Sequence, residues 1–255
     1  MSRRLSADLH IHTVLSPCAD LEMSPLNVVA QARAVGLGLI AVTDHNSAEN
    51  VRAVIEAGSR VGLIVLPGME VNTREEVHVL CLFDRPSDAD ELQELVYSRL
   101  PPGENDSDYF GYQVICDSFD EIVGFNSRLL IQAADISLGE LVAKVKALGG
   151  MAIAAHIDRP AFGLLGQLGF VPQGLELSAL EVSKIASIPA LRKEQPHLDP
   201  YPILSSSDAH FLEDIGNNPL DLLVEEADIE GIEQALWGLW NSNHERTFPS
   251  RSRYR

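Results

Sequence analysis

Short apolar runs alternate with helix-like segments along most of the chain. Residues 5–11, 39–43 and 151–155 are typical of buried strands, and a helix is predicted over 24–35, where a serine followed by proline supplies a helix start and a glycine the end. Strands that alternate with helices indicate an α/β architecture built on a largely parallel sheet.

Further apolar runs extend this pattern. Residues 63–66 predict a third strand that Pro67 and Gly68 interrupt, and 77–83 predict a fourth, which pairs with the third if the chain turns near 73–75. Strands are also predicted over 179–182, 203–206 and 220–224.

Residues 84–135 break the alternation. They contain a helix-like stretch at 89–100, a polar, turn-rich segment and a predicted β-hairpin that turns near 118–120. We interpret this region as an insertion, or flap, within a single domain over 1–255, a length that a one-domain α/β barrel readily occupies.

The composition narrows the classes of partner. The chain has 19 basic and 37 acidic side chains, a formal net charge of −18, which opposes capture of long nucleic acids and of anionic membranes. A small phosphorylated substrate stays compatible with this charge, because bound divalent cations can reverse the local field. Three scattered cysteines and no apolar segment of signal or spanning length predict a cytoplasmic protein.

Titratable side chains stand at several predicted strand ends. His10 and His12 alternate on the first strand and therefore share a face. Asp44 and His45 follow the second strand, where barrel enzymes place their chemistry, although Asp44 could equally cap a helix.

The remaining strands repeat this arrangement. Glu70 and His78 become neighbours if their runs pair, His156 is either a core histidine or a ligand, and Asp208 and His210 alternate at another strand exit. Six of the eight histidines lie at such positions, and independent core or surface histidines have no reason to collect there. The joint pattern therefore favours a metal centre.

The ordered motifs DLHIHT, TDHN, GMEV, EVHVL, AAH and SSDAH resemble the polymerase and histidinol phosphatase (PHP) superfamily. The resemblance runs from about residue 7 to residue 210. It implies a distorted barrel of seven parallel strands with helices, here with an inserted helix and hairpin, and hydrolysis of phosphoester bonds at metals bound near the strand ends.

The resemblance also implies nine ligands for three cations: His10, His12, Glu70 and Asp208 for the first, Glu70 shared with His78 and His156 for the second, and His45, His210 and Asp20 for the third. Asp20 stands later than the family's usual placement. Cys18, close by, is interpreted as a loop residue.

This ligand set suits two to three manganese, iron or zinc ions, whose expected role is to neutralise phosphate charge and to hold a bridging hydroxide as nucleophile. Asp44 is expected to orient a ligand or a water molecule, and His210 is one candidate for the general acid. Arg159 and Lys184, with Arg74 as a weaker candidate, could bind the substrate phosphate, or each could be an ordinary surface cation.

The sequence therefore predicts a metal-dependent phosphoesterase acting on a small substrate, such as a nucleotide. The alternatives are an exonuclease on short oligonucleotides, a non-catalytic metal-binding module, and a hydrolase of C–N bonds. The last class often bridges its metals with a carboxylated lysine, whereas Glu70 is the bridge expected here. The sequence does not predict the oligomeric state.

Overall fold

The computed structural model of the protein describes residues 2–184 and 187–244. The described strands are β1 (Arg3–Ile11), β2 (Leu39–Val42), β3 (Ile64–Asn72), β4 (His78–Leu82), β5 (Val114–Cys116), β6 (Ile122–Phe125), β7 (Met151–Ala154), β8 (Ala179–Glu181), β9 (Ile203–Leu204) and β10 (Leu220–Val224). The described helices are α1 (Pro25–Ala34), α2 (Val51–Arg60), α3 (Pro86–Arg99), α4 (Ser107–Phe110), α5 (Leu138–Ala147), α6 (Leu164–Leu168), α7 (Ile188–Glu194) and α8 (Ile229–His244).

Eight strands form one sheet in the order β10-β1-β2-β3-β4-β7-β8-β9. The predicted α/β barrel is confirmed, since this sheet is nearly closed and carries helices. The expectation of seven parallel strands needs correction: β4 is antiparallel to β3 and β7, and β10 is antiparallel to β1. Only five residues connect β3 to β4, too few for the crossover that a parallel pair requires.

The predicted break in the third strand is wrong, because β3 continues through Pro67 and Gly68 to Asn72. Gly68 explains how. A Cβ atom there would lie 2.6 Å from the Leu82 side chain and 2.8 Å from the Cys81 carbonyl oxygen, so glycine is the residue that allows β4 to pair this closely.

Strand direction places the titratable side chains at one end of the barrel, which we call the rim. The parallel strands β1, β2, β3, β7, β8 and β9 all end at the same rim, and the antiparallel β4 begins there. The segment after β9 crosses to β1 at this rim: His12 donates its backbone N–H to the Ala209 carbonyl at 3.0 Å, and Ile11 and Ala209 form a parallel bridge.

Apolar side chains pack on both faces of the sheet. One cluster includes side chains of α1, α2, α3 and α5, and the other joins strand side chains such as Leu80 and Ile153 to α8. Glu70 pairs with Leu80 across β3 and β4, so its carboxylate shares a face with the second cluster. No helix within the described residues has both the length and the apolar run needed to cross a membrane.

The proposed insertion, residues 84–135, contains α3, α4 and the predicted hairpin, formed by β5 and β6 with its turn at 117–121. The hairpin lies against the loop that follows β1. Val114 donates its backbone N–H to the Val14 carbonyl at 3.1 Å, and Gly111, at φ 97°, would place a Cβ atom 2.2 Å from the Pro17 carbonyl oxygen.

Candidate metal centre

Glu70 lies at the middle of the rim and is 1% exposed. Its Oε1 is 2.9 Å from His78 Nδ1 and 3.1 Å from His156 Nε2. Its Oε2 is 3.0 Å from His45 Nδ1 and 3.5 Å from His12 Nε2. His10 Nε2 also lies 3.4 Å from Oε1, so five imidazoles, from strands or strand exits far apart in sequence, converge on one carboxylate.

Asp208 forms a second point of convergence. Its Oδ1 lies 3.1 Å from His10 Nε2 and 3.4 Å from His12 Nε2. The two Nε2 atoms of His10 and His12 are themselves 3.1 Å apart, as alternate positions on β1 led us to expect. The pairing of β1 with β2 shifts register between Asp8 and Ile11, the stretch that contains His10.

Buried hydrogen bonds fix the segment that carries Asp208. The Asp8 carboxylate accepts the backbone N–H groups of Ser207 at 3.1 Å and Gly216 at 2.9 Å. Asp208 itself has φ 52°, and His156, at another strand exit, has φ 30°. Non-glycine residues in this left-handed region store backbone strain, which concentrates at functional sites.

Three overlapping groups of side chains could each hold a cation, because their ligand atoms lie within 4.8 Å of one another: His10, His12 and Asp208; His45, Glu70 and His78; and His12, His45 and His210. Eight of the nine predicted ligands therefore meet at the rim, with His156 joining through Glu70.

Buried polar atoms without hydrogen-bond partners also indicate that these residues fit divalent metals. Glu70 Oε2 and His156 Nδ1 are buried and accept or donate no hydrogen bond. A buried carboxylate oxygen without such a partner is costly unless a cation satisfies it. The mixed imidazole and carboxylate donors suit transition metals better than magnesium.

His10 is oriented by a carboxylate that the sequence analysis missed. Glu181, at the end of β8 and 2% exposed, places Oε2 2.9 Å from His10 Nδ1 and accepts the backbone N–H of His156 at 3.2 Å. When Nδ1–H donates to Glu181, the lone pair is on Nε2, which faces Asp208.

His12 is oriented through a hydroxyl instead. Ser16 donates its O–H to Asp44 at 2.6 Å, so its oxygen is free to accept from His12 Nδ1 at 2.9 Å. Asp44 also accepts the backbone N–H and hydroxyl of Thr13, both at 2.7 Å. All these contacts turn Asp44 away from the three groups, so it acts on His12 through Ser16.

Electrostatics act differently on the carboxylate and on the individual imidazoles. Burial acts to lower the pKa of His10 and of His45, but the Asp208 carboxylate beside His10 and the Glu70 carboxylate beside His45 outweigh it and raise both well above the ordinary value. Burial acts to raise the pKa of the Glu70 carboxyl, but the charges of His78 and His10 outweigh it and hold that pKa well below its usual range. Burial lowers the pKa of the His12 imidazole, and the charge of His210 lowers it further. Glu70 is therefore anionic and His12 neutral, the forms that bind metals.

Asp20 is the predicted ligand that the structure does not bring to these groups. Its Oδ1 accepts the backbone N–H of Glu22 at 2.8 Å, in a turn at the surface. Cys18, interpreted from the sequence as a loop residue, does lie in the loop after β1, with the His45 and His210 imidazoles near its thiol. Burial acts to raise the pKa of this thiol, and the two imidazoles lower it to about 6.

The predicted phosphate-binding cations lie in different surroundings. Arg159 is at the rim, where its guanidinium contacts Asp208 Oδ2 at 2.6 Å and Ser183 Oγ at 3.2 Å. Lys184 is exposed and follows Ser183 directly. Arg74 pairs with Asp135 at 2.6 Å on the exposed β3–β4 turn.

Glu181 and Ser16 carried no sequence signal strong enough to identify them. Glu181 lies inside an apolar run, ALEVS, where an inward-facing carboxylate is unusual, and this was the one clue available. Ser16 stands four residues after His12 in a loop, and a loop hydroxyl has no distinctive pattern.

Comparison with known proteins supports the family resemblance. The PHP domain family model matches residues 8–122 of the chain. This segment includes His10, His12, His45, Glu70 and His78. The other three of the eight predicted ligands that meet at the rim lie beyond the matched segment: His156, Asp208 and His210.

Individual curated relatives match the chain over short segments only. The chain is 35% identical over 80 residues to the 5'-3' exoribonuclease Rnm of Salmonella typhimurium, a segment that covers 29% of this chain and 26% of that protein. The chain therefore spans about a quarter of the length of the curated relatives that it matches.

Solved structures share the fold. The lesion-specific endonuclease PfuEndoQ from Pyrococcus furiosus aligns with a TM-score of 0.67 at 18% identity, over 93% of this chain and 56% of that one. An amidohydrolase from Chromobacterium violaceum with bound sulfate aligns with a TM-score of 0.58 at 23% identity, over 92% and 96% of the two chains. At these identities the likeness establishes the barrel architecture alone.

Proposed function

We propose that the protein is a metal-dependent phosphoesterase that hydrolyses a small phosphorylated substrate of the nucleotide class. The observation that carries this proposal is the convergence of His10, Glu70, His156 and Asp208 at one rim, within 3.4 Å of a neighbouring member of the set. Divalent cations bound there would neutralise phosphate charge and lower the pKa of water.

Several side chains of the protein position the metal ligands and the substrate. Glu70 belongs to the cation group with His45 and His78, and its carboxylate also lies within 3.5 Å of His10 and His12, which belong to the other groups. Glu181 and Ser16 fix the ring orientation of His10 and His12. Arg159 supports binding of the substrate, because a guanidinium at the rim can donate two parallel hydrogen bonds to a phosphate.

His210 is a candidate both for a metal ligand and for the general acid. Its Nδ1 is 2.9 Å from the Asp208 carbonyl oxygen, to which it donates, so only Nε2 is available. One nitrogen cannot hold a cation and transfer a proton at the same time. Its place in the group with His12 and His45 favours the ligand role.

The similarity to Rnm makes exonuclease action on short oligonucleotides the second candidate. The net charge of −18 opposes long polymers, since binding along a phosphate backbone requires a basic track. Retention of the predicted ligands, Asp20 aside, at the rim argues against a non-catalytic module. A metal-dependent C–N hydrolase is disfavoured because the carboxylate at the centre is Glu70 and not a modified lysine.

Metal analysis of the purified protein, coupled to phosphate release from a panel of phosphorylated metabolites and short oligonucleotides, tests the proposal. We expect two to three transition-metal ions per chain and release from nucleotide-class metabolites. His156→Ala should abolish release and keep the circular dichroism spectrum, because the residue supplies an imidazole to Glu70 and little packing.

His197→Ala is the matched control, since that histidine lies in a short turn after α7, away from the rim groups. It should behave as wild type. An active His156→Ala variant contradicts the second-metal assignment. Cleavage of oligonucleotides alone would establish the exonuclease, and bound metal without any cleavage would establish the non-catalytic module.

A further inference from the structure

Phe162 is a large apolar side chain in direct contact with the candidate metal centre. Its ring stacks on the imidazole of His78, with ring centroids 4.6 Å apart and an angle of 23° between the ring planes. His78 is buried, whereas 38% of Phe162 is exposed. One face of the Phe162 ring therefore covers a predicted metal ligand, and the part of the ring that is open to solvent lies on the side away from that ligand.

The backbone of Phe162 has a conformation that large side chains rarely adopt. Its φ is 59°, in the left-handed region that favours glycine. Its carbonyl oxygen accepts the backbone N–H of His78 at 3.0 Å, which ties the loop to the start of β4. Such strain persists only where the surroundings over-determine it, and it concentrates at catalytic and ligand-binding sites. The loop thus holds the ring at the rim in spite of an unfavourable backbone conformation.

Gly163 keeps this loop compact. A Cβ atom on Gly163 would lie 2.3 Å from the Arg159 carbonyl oxygen and 2.8 Å from the His156 carbonyl oxygen, so a larger residue would force the turn open. Arg159 also donates its backbone N–H to the His156 carbonyl at 2.9 Å. These contacts fix the stretch between Arg159 and Phe162 in one shape, and the two side chains keep a constant separation.

The loop therefore carries two side chains of different chemistry. The Arg159 guanidinium contacts Asp208, and the Phe162 ring contacts His78, so each lies beside a different cation group. A nucleotide likewise consists of an anionic phosphate and an aromatic base. Stacking requires only a π-face, which every base has, so an exposed ring near a phosphate site can bind the base of any nucleotide.

We propose that Phe162 binds the base of the nucleotide-class substrate, which stacks on the solvent-facing side of the ring while Arg159 binds the phosphate. This inference rests on the proposed function and identifies the part of the substrate that the protein recognises besides phosphate. A phosphorylated sugar that has no base lacks the stacking contact and binds more weakly.

A role for Phe162 in orienting His78 alone predicts a different result. Loss of an orienting contact would disturb the metal centre and weaken the binding of every phosphorylated ligand alike. Loss of a stacking contact would weaken the binding only of ligands that contain a base. A pair of ligands that differ in the base alone therefore distinguishes the two roles.

The test compares the phosphonate analogues of adenosine 5'-monophosphate and of ribose 5-phosphate, in which a methylene group replaces the ester oxygen and prevents hydrolysis. Isothermal titration calorimetry measures their binding to the manganese-loaded protein. We expect wild type to bind the nucleotide analogue more tightly than the sugar analogue. Phe162→Ala should bind the nucleotide analogue about 5- to 150-fold more weakly, the range for loss of one base–aromatic stack, and the sugar analogue as before. Phe162→Trp should keep tight binding of the nucleotide analogue.

Phe119→Ala is the matched control and should behave as wild type, since Phe119 is an exposed ring that lies over Arg60 and belongs to none of the cation groups. Circular dichroism and metal content are measured for each variant. Phe162→Leu keeps an apolar side chain but lacks a π-face, and it repeats the test should alanine disturb the loop.

Equal binding of the two analogues by wild type overturns the inference. Equal weakening of both analogues in Phe162→Ala and Phe162→Leu, or a loss of metal from both variants, overturns it in favour of the orienting role. The analogues are not hydrolysed, so their binding does not depend on catalysis. A protein whose binding of the nucleotide analogue depends on Phe162, but which releases no phosphate from nucleotides, refutes the proposed function alone.

Discussion

Side chains reach the rim both from the strand ends and from the loop after β1, but different contacts position them in the two regions. Glu70, His78 and His156 are buried, and their positions follow from strand register. Asp20 lies in the loop after β1, where its backbone N–H donates to the His210 carbonyl while its carboxylate accepts the backbone N–H of Glu22. Ligands on strands are fixed by the sheet, whereas ligands on loops are fixed by local contacts.

We expect the largest effect from substitution of a ligand that lies on a strand. Glu70→Gln removes the anionic charge that five imidazoles surround, and we expect phosphate release to fall by more than about 100-fold, beyond the usual loss for residues that only orient a ligand. Metal content and steady-state release are the measurements. Glu94→Gln, on the exposed side of α3, should leave both unchanged, and a Glu70→Gln variant with full metal content would contradict the shared role.

We expect a smaller effect from Glu181, which hydrogen bonds with the ligand His10 but belongs to none of the cation groups. Glu181→Gln retains the shape of the side chain but removes the charge that holds His10 Nδ1–H, so metal affinity should fall by about 10- to 100-fold. Chelator competition measures this affinity. Glu176→Gln, an exposed residue ahead of the same strand, is the control. Unchanged affinity in Glu181→Gln would show that packing alone orients His10.

The smallest effect concerns substrate binding. Arg159→Ala should raise KM by roughly tenfold, the loss expected for a charge-assisted hydrogen bond of about 1.5 kcal/mol, with metal content preserved. Arg74→Ala should change neither quantity, because Arg74 pairs with Asp135 on an exposed turn. If metal content falls in Arg159→Ala, then Arg159 serves mainly to hold Asp208 and not the substrate.

Periodicity and spacing predicted much of this molecule. The α/β barrel, the β3–β4 pairing that brings His78 to Glu70, and the hairpin of β5 and β6 follow from apolar runs and turn residues. The strand through Pro67 was not predictable, because a proline followed by glycine usually ends a strand, and only the close approach of β4 explains the exception.

The sequence by itself determined which imidazoles and carboxylates gather, because parallel strands end at one rim and alternate residues share a face. Tertiary structure alone decided that Glu181 hydrogen bonds with His10 and that Asp44 contacts Ser16, the hydroxyl partner of His12. The physical reason is the separation along the chain between the residues that determine each feature. Strand pattern is local and repeats every two residues, whereas a loop side chain is directed by hydrogen bonds to partners far away in the chain.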